Sequence, residues 1–438
     1  MDSHSHHYDE DMLSVEEAKE RVLKNFVALQ SEIVKVTQAV GQVLANDVIS
    51  NLSIPPLDNS AMDGYAVVAG DTLEAGPDHP IYLEVLETVS AGSLPTMEIS
   101  AGKASRIMTG APIPAGADAV VPFELTTEAM TNLSGPEHSI GILTKVTEGN
   151  DIRIAGRDVS QGEKVLDKGT IVKSSTVGLL SALGLSEVLV VRRPRVAILA
   201  TGDELLEPGS DYVKGKIYDS NTSTLIAAVE SVGGIAVSLG VAADDAVTLR
   251  SKLEQAAGCD LIITSAGVSK GDYDLVKDVL EEQGNLEFWS VRMRPAKPLA
   301  FGYVIVKNKQ IPFIGLPGNP VSAMIALDKF ARFAINKMMG KPFLDRPVIK
   351  AKLDSDIINY DDRRFYARVY VYRNSENIIC ARPLENQSSG VLTSMHYANG
   401  LGICPSSINK LYKDEIIDVE MFNWSENITE IINPKKEI

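Results

Sequence analysis

Between Arg192 and Met339 short apolar runs alternate with helical stripes, and this alternation limits the possible folds more than any other feature of the chain. Val196 to Ala200, Val237 to Val241, Leu261 to Ile263 and Ala300 to Val306 each read as a buried strand. Asn221 to Val232, Ala246 to Ala257 and Val321 to Met339 carry helical spacing, and Pro320 suits the first position of the last helix. Strands joined by crossover helices argue a doubly wound, largely parallel α/β sheet covered on both faces. Ligands bind beyond the carboxyl ends of the strands in such sheets. Glu204, Asp244, Asp272 and the turn Pro317-Gly318-Asn319-Pro320 are all expected at that edge. Any one of these carboxylates could be a helix cap, but the convergence of three is harder to explain that way.

The third of these strands runs into Thr264-Ser-Ala-Gly-Val-Ser-Lys-Gly-Asp-Tyr-Asp274, ahead of a helical stripe of Leu275, Val276, Val279 and Leu280. Small residues and two glycines let backbone amides approach an anion at the helix start. Asp272 and Asp274 suit a hard divalent cation, so phosphate and metal could be held side by side. The alternative is a capped helix start with no ligand.

Length and charge bound the rest. A chain of 438 residues suggests about three domains on the usual size range. The net charge of -16 argues against nonspecific binding to nucleic acid or an anionic membrane. An anionic ligand must then be met by local amides, a few cations or a metal. Cys259, Cys380 and Cys404 are scattered without Cys-x-x-Cys spacing, which fits a reducing, cytoplasmic setting and core roles. No apolar run is long enough to span a bilayer, no secretion signal is evident, and His4, His6 and His7 lie in a polar tail.

On either side of the α/β region the pattern is different. Ser14-Val-Glu-Glu17 is a capping box opening a helix with Val15, Ala18, Val22, Phe26 and Leu29 on one stripe, and Gln38 to Leu44 reads as a second short helical patch. In Ile54-Pro-Pro-Leu-Asp-Asn-Ser-Ala-Met-Asp-Gly-Tyr-Ala-Val67, the residues Asp58, Asn59, Ser60 and Asp63 could bind a ligand, or Asp58 and Asn59 could cap a turn. Runs at Ile81 to Val85, Ser105 to Met108 and Ala119 to Phe123 read as strands of a small β-rich insertion. Thr109 sits on the rigid turn Ile107-Met-Thr-Gly-Ala-Pro-Ile-Pro-Ala-Gly116, which could equally be only a tight corner. Arg153, Arg157 and Asp158 either form a surface ion network or lend one carboxylate and two cations to a cleft. Beyond Asp345 short strands at Val348 to Leu353, Phe365 to Tyr372, Ile378 to Ala381 and Ile416 to Met421 fit a small β-barrel or sandwich, with the barrel as the expectation.

Taken together, Asp58-Asn-Ser-Ala-Met-Asp-Gly-Tyr-Ala-Val67, Ile107-Met-Thr-Gly-Ala-Pro112, Thr201-Gly-Asp-Glu204 and Leu316-Pro-Gly-Asn-Pro320 resemble the molybdopterin molybdotransferase family, called MoeA in bacteria and represented in animals by the E domain of gephyrin. The loop after Thr264 and the order of all these pieces match too. The first stretch is highly specific to the family. Thr-Gly-Asp-Glu and the loop are shared with single-domain relatives that adenylylate molybdopterin.

The resemblance implies an elongated homodimer of four-domain subunits. We divide the chain into 1–45 with 150–188, a β-rich insertion at 46–149, the α/β domain at 189–343 and the C-terminal β-barrel at 344–438. The implied active cleft joins the α/β domain of one subunit to the β-rich insertion of the other. The implied reaction takes adenylylated molybdopterin and molybdate, uses Mg2+, and releases AMP and molybdenum cofactor. Carried over by position, its functional residues are Asp63, Thr109, Asp158, Glu204, Asp244 and Asp272, with Pro317 and Pro320 shaping the cleft and Ser389 in poorly matching surroundings. Glu204, Asp244 and Asp272 are assigned to metal or pyrophosphate. The amides of Gly267 to Gly271, with the cations Lys297, Arg294 and Lys270, are assigned to phosphate or molybdate, and Ser265, Ser269, Gly318 and Asn319 to substrate binding. The ligand's own dithiolene captures molybdenum, so the protein needs no cysteine cluster.

This chain departs from the family pattern in three places. Ala266 and Ala296 stand where the family usually has glycine, a change tolerable only at negative φ, and Ser290 stands where a cation is common. The oxyanion could therefore be molybdate or tungstate. A molybdopterin adenylyltransferase, as rival identity or as partner, and a noncatalytic dimeric scaffold are the competing expectations.

Overall fold

The computed structural model describes residues 12–130, 136–243, 245–266, 284–341 and 345–422. The chain forms two compact units, one of Met1–Glu32, Gly41–Val43 and Val190–Ile438, the other of Ile33–Val40 and Leu44–Leu189.

The larger unit is built on a six-stranded sheet in the order Ile235–Ala242, Arg195–Thr201, Leu261–Ser265, Lys309–Leu316, Pro298–Val306, Gly284–Ser290. The first four strands pair in parallel, and Pro298–Val306 alone runs the other way, pairing antiparallel with its neighbours on both sides. The reversal comes at Lys307-Asn308, both at positive φ (47° and 64°), the geometry that joins two strands through a two-residue hairpin loop. Both faces are buried, as the unbroken apolar runs require. Val196, Ile198, Leu261, Ile263, Ile314 and Leu316 turn to one core, which also holds Val15, Ala18 and Val22 of the N-terminal helix Val15–Leu23. Ala197, Leu199, Ile262 and Phe313 turn to the other, against Leu249 and Leu253. The expected capping box is present, with Ser14 and Glu17 each bonded to the other's backbone N–H.

Pro320 opens the expected long helix at its first position, running through Pro320–Ala326, a π-helical turn at Leu327–Ala331, and Arg332–Met338. It is buried nearly all round, so its charged residues pair: Asp328 with Arg332 (3.0 Å) and Arg346 (2.5 Å), and Lys329 with Glu420. Glu420 lies on a closed barrel whose strands run Arg364–Arg373, Ile379–Pro383, Val348–Leu353, Ile416–Met421, Gly400–Cys404 and back to the first. Met293–Arg294, from the α/β part of the chain, adds as a short parallel strand beside Arg364 and Phe365.

The second unit holds a five-stranded sheet in the order Ala119–Pro122, Gly64–Val67, Lys103–Ile107, Ile81–Val89, Ser139–Ile142, as the β-rich reading expected. Tyr65 and Val67 face one core and Ala66 the other, the period-two signature of a strand covered on both sides. A Cβ at Gly64 would run into the Val121 carbonyl, so only glycine lets these strands approach. The helix expected over Gln38 to Leu44 is not formed. Val36–Gln38 makes one 3-10 turn, and Gly41 at φ +83° takes the chain out of helical conformation.

Candidate functional site

The parallel strands end together. Thr201 pairs with Ala242, Ala200 with Ser265, and Ser265 with Leu316, so the segments after Thr201, Ala242, Ser265 and Leu316 all leave one sheet edge, as the alternation implied. Glu204 is exposed there and its carboxylate folds back over Gly202, whose φ of +144° and missing Cβ make room for it. Ser265 is buried at the strand end, and the neighbouring Thr264 hydroxyl is buried without a hydrogen-bond partner. Asp245 caps the helix Ala246–Glu254 by accepting from the Thr248 amide (2.8 Å). Asp244, Gly267, Ser269, Lys270, Gly271, Asp272 and Asp274 lie outside the described residues. Among the described residues no three His, Cys, Asp or Glu side chains meet in a metal-holding group. Of the expected magnesium ligands, only Glu204, an exposed hard oxygen donor, can therefore be placed.

The condition of negative φ, under which a Cβ at Ala266 and Ala296 would be tolerated, is not met, since they hold φ of +91° and +74°. Both keep the left-handed backbone that glycine would adopt without penalty, so the strain of a Cβ is carried instead of relieved.

The Pro317 to Pro320 turn is held from two other elements. Asn221, near the start of the helix Ser220–Ser231, donates its side-chain amide to the Gly318 carbonyl at 2.8 Å. The Val321 amide donates to the Ser389 carbonyl at 3.1 Å, which brings the poorly matched Ser389 to this turn. Pro317 is buried, and Gly318 and Asn319 are exposed.

The loop bearing Ser389 wraps a residue that the sequence did not single out, Arg368. Its backbone exchanges two hydrogen bonds with the Gln387 side chain, both 2.9 Å. Its guanidinium donates to the Ser394 hydroxyl (3.1 Å) and to the Ser388 and Asn386 carbonyls (3.1 and 3.4 Å). Arg368 is 0% exposed, and its Nη1 is buried with no partner. Arg294, placed by its strand pairing, lies with its guanidinium 4.6 Å from the Phe365 ring centre and 5.3 Å from that of Tyr360, and its Nη1 is also buried without a partner. Neither arginine forms an ion pair with a carboxylate among the described residues. Burial, and then the nearby Arg294 charge, lower the Arg368 pKa to about 10. The half-buried Arg294, within electrostatic reach of Asp361, and the buried Arg368 each keep an orphaned Nη1 donor, and together they form a site with cationic donors to spare. Lys297 is half-buried three residues beyond Arg294, its carbonyl accepting from the Val291 amide at 2.7 Å.

In the β-rich unit Asp63 and Thr109 meet. Asp63 Oδ1 accepts from the Thr109 amide (2.6 Å) and hydroxyl (2.9 Å), and these bonds, the amide's first, hold the carboxyl below its ordinary pKa. Asp58 accepts from the Ala155 amide at 2.7 Å, a bond to a segment far along the chain and not the local turn cap weighed for it. Asn59 donates to the Leu57 carbonyl at 3.2 Å. Its Oδ1 is buried without a partner. Asp158 is exposed, and among the described residues no ion pair joins it to Arg153 or Arg157, which leaves the ion-network reading without support.

With this geometry in place, three stretches of the chain match known families. Residues 13–184 match the MoeA N-terminal region (domain I and II), 197–337 a probable molybdopterin binding domain, and 350–422 the MoeA C-terminal region (domain IV). Molybdopterin molybdenumtransferase 2 of Mycobacterium tuberculosis is 39% identical over 404 residues, covering 91% of this chain and 96% of that protein. The molybdopterin molybdenumtransferase of Haemophilus influenzae is 32% identical over 415 residues, covering 94% and 99%. The solved molybdopterin biosynthesis moeA protein from Pyrococcus horikoshii OT3 superposes with a TM-score of 0.75 at 31% identity, covering 94% of this chain and all of that one.

Proposed function

This chain belongs to the MoeA family of molybdopterin molybdenumtransferases, transferases of molybdenum cofactor biosynthesis, and we propose that it joins molybdate to adenylylated molybdopterin with release of AMP. The observation that carries the proposal is the pair of guanidiniums at Arg294 and Arg368, each with a buried Nη1 that has no hydrogen-bond partner and no ion pair among the described residues. A tetrahedral oxyanion presents several acceptor oxygens and a double negative charge, which is what the two orphaned Nη1 groups lack. Arg368 anchors the anion from the barrel, and Lys297 adds a mobile point charge. The Pro317–Pro320 turn, tied to the same loop through Ser389, shapes the wall beside it.

The exposed carboxylate of Glu204 would hold magnesium together with Asp244 and Asp272, an all-oxygen set of the kind that ion takes. When bound, magnesium would neutralise charge on the pyrophosphate whose cleavage releases AMP. In the β-rich unit Asp63, kept ionised and oriented by Thr109, and Asp158 stay in the proposal as functional carboxylates. A homodimer working in the cytoplasm is part of the same reading. The adenylyltransferase alternative is not favoured, because MoeA regions match on both sides of the α/β domain.

The test is to incubate purified protein with adenylylated molybdopterin, magnesium and either molybdate or tungstate. AMP release is expected with at least one oxyanion and is expected to be lost in Asp272→Asn, while light scattering still reports a dimer. Absence of AMP with both oxyanions sinks the proposal, and ATP-dependent adenylylation of molybdopterin would replace it.

A further inference from the structure

The aromatic ring that backs Arg294 is itself unused. Tyr360 is 77% exposed, far more than the Phe365 ring on which the same guanidinium rests. This exposure does not come from a loose loop. Asn359 is buried, its amide donating to the Asn409 carbonyl (2.8 Å) and its side chain to the Arg363 carbonyl (2.8 Å). Asp361 pairs with Arg363 at 2.5 Å, and Asp362 with Arg292 at 2.9 Å. Four of the five residues from 359 to 363 are thus tied down by side-chain bonds, and Tyr360 is left presenting its ring to solvent.

We infer that Tyr360 is a stacking platform for a flat heteroaromatic ring of the substrate, set one guanidinium away from the oxyanion site formed by Arg294 and the fully buried Arg368. The inference rests on the proposed reading of that arginine pair. A tyrosine ring offers a flat face for offset stacking of a heterocycle, and a ring held by a stapled loop loses little entropy on binding. Adenylylated molybdopterin carries two such rings, the pterin and the adenine. Either can be followed separately from the oxyanion.

The experiment uses the full chain as wild type, Tyr360→Phe and Tyr360→Ala, each titrated with 6-hydroxymethylpterin, with AMP and with molybdate alone. Tyr360→Ala is expected to weaken at least one ring probe by roughly 5- to 100-fold, the range of a lost stacking partner. Tyr360→Phe, which keeps the ring, is expected to stay within about twofold of wild type. Loss for the pterin alone, or for AMP alone, assigns the ring. The inference is overturned if Tyr360→Ala binds both ring probes as wild type does, if wild type binds neither, or if Tyr360→Phe loses as much as Tyr360→Ala. Molybdate alone reports on the arginines. A wild type that fails to bind it removes the oxyanion reading, whatever the ring probes show.

Discussion

Replacing Arg368 by methionine should leave the ligand-free protein at least as stable as wild type while abolishing its response to oxyanion. A pKa lowered from the ordinary guanidinium range to about 10 means that the folded environment disfavours the charged guanidinium by about 3 kcal/mol. Methionine removes that penalty and fills similar volume. It also removes three guanidinium hydrogen bonds, but the Ser388 and Asn386 residues whose carbonyls accept two of them are exposed and can turn to water, and the Ser394 hydroxyl still donates to the Val391 carbonyl at 2.6 Å. The net expectation is a gain of about 1 to 2 kcal/mol, or a few degrees in Tm for a unit of this size. Wild type should gain Tm with added molybdate as RT ln(1 + [L]/Kd), and Arg368→Met should not. The pH dependence has a definite sign. Because the folded pKa lies below the unfolded one, the unfolded chain holds more protons from about pH 10 up to the ordinary guanidinium pKa, and stability owed to this group rises with pH there. The advantage of Arg368→Met is therefore full below pH 10 and shrinks above it. A variant destabilised by more than about 2 kcal/mol that still shifts with molybdate would refute the argument.

Two further outcomes follow from backbone and carboxylate geometry. Ala266→Gly should stabilise by about 0.5 to 1 kcal/mol, the relief of a left-handed alanine less the entropy glycine adds to the unfolded chain. Ala296→Gly should gain less, because its methyl is almost fully buried and losing it costs about 0.8 kcal/mol; urea midpoints showing the larger gain at residue 296 would contradict this. At Asp63, whose pKa is lowered by the Thr109 bonds, the interaction is present above the ordinary carboxylate pKa and lost as pH falls through the folded value. Hydrogen exchange at the Thr109 amide should stay protected at pH 5 and open only in stronger acid, whereas Asp63→Asn should weaken that protection at all pH values.

The alternation from Arg195 to Met338 was legible because buried parallel strands need unbroken apolar runs, and Pro320 marked its helix start through ordinary capping chemistry. The edge hairpin was written in Lys307-Asn308, where asparagine tolerates positive φ, but the apolar runs flanking it look alike whichever way the strands pair. Arg368 was hidden for a different reason. In Arg364-Phe-Tyr-Ala-Arg-Val-Tyr-Val-Tyr-Arg373 an arginine at an alternating position reads as a solvent-facing residue of a half-buried strand. Only barrel closure and the loop from Leu384 to Val391 bury that side, and neither leaves a local signature. The φ values of Ala266 and Ala296 stayed open because propensity argues for the residue, whereas tertiary bonds, such as that from the Ala266 amide to the Leu316 carbonyl at 3.0 Å, settle the backbone.

The two-residue strand Met293–Arg294 ties the C-terminal barrel to the sequence that precedes it by about seventy positions. The barrel is thus no detachable cassette. A fragment starting near residue 345 would fold, if at all, with a bare seam along Arg364 and Phe365, and a fragment ending there would leave Arg294 with no strand to lie against. Gene fusions, domain swaps and truncations that respect the linear order of the regions would still cut the pairing of Met293–Arg294 with Arg364 and Phe365.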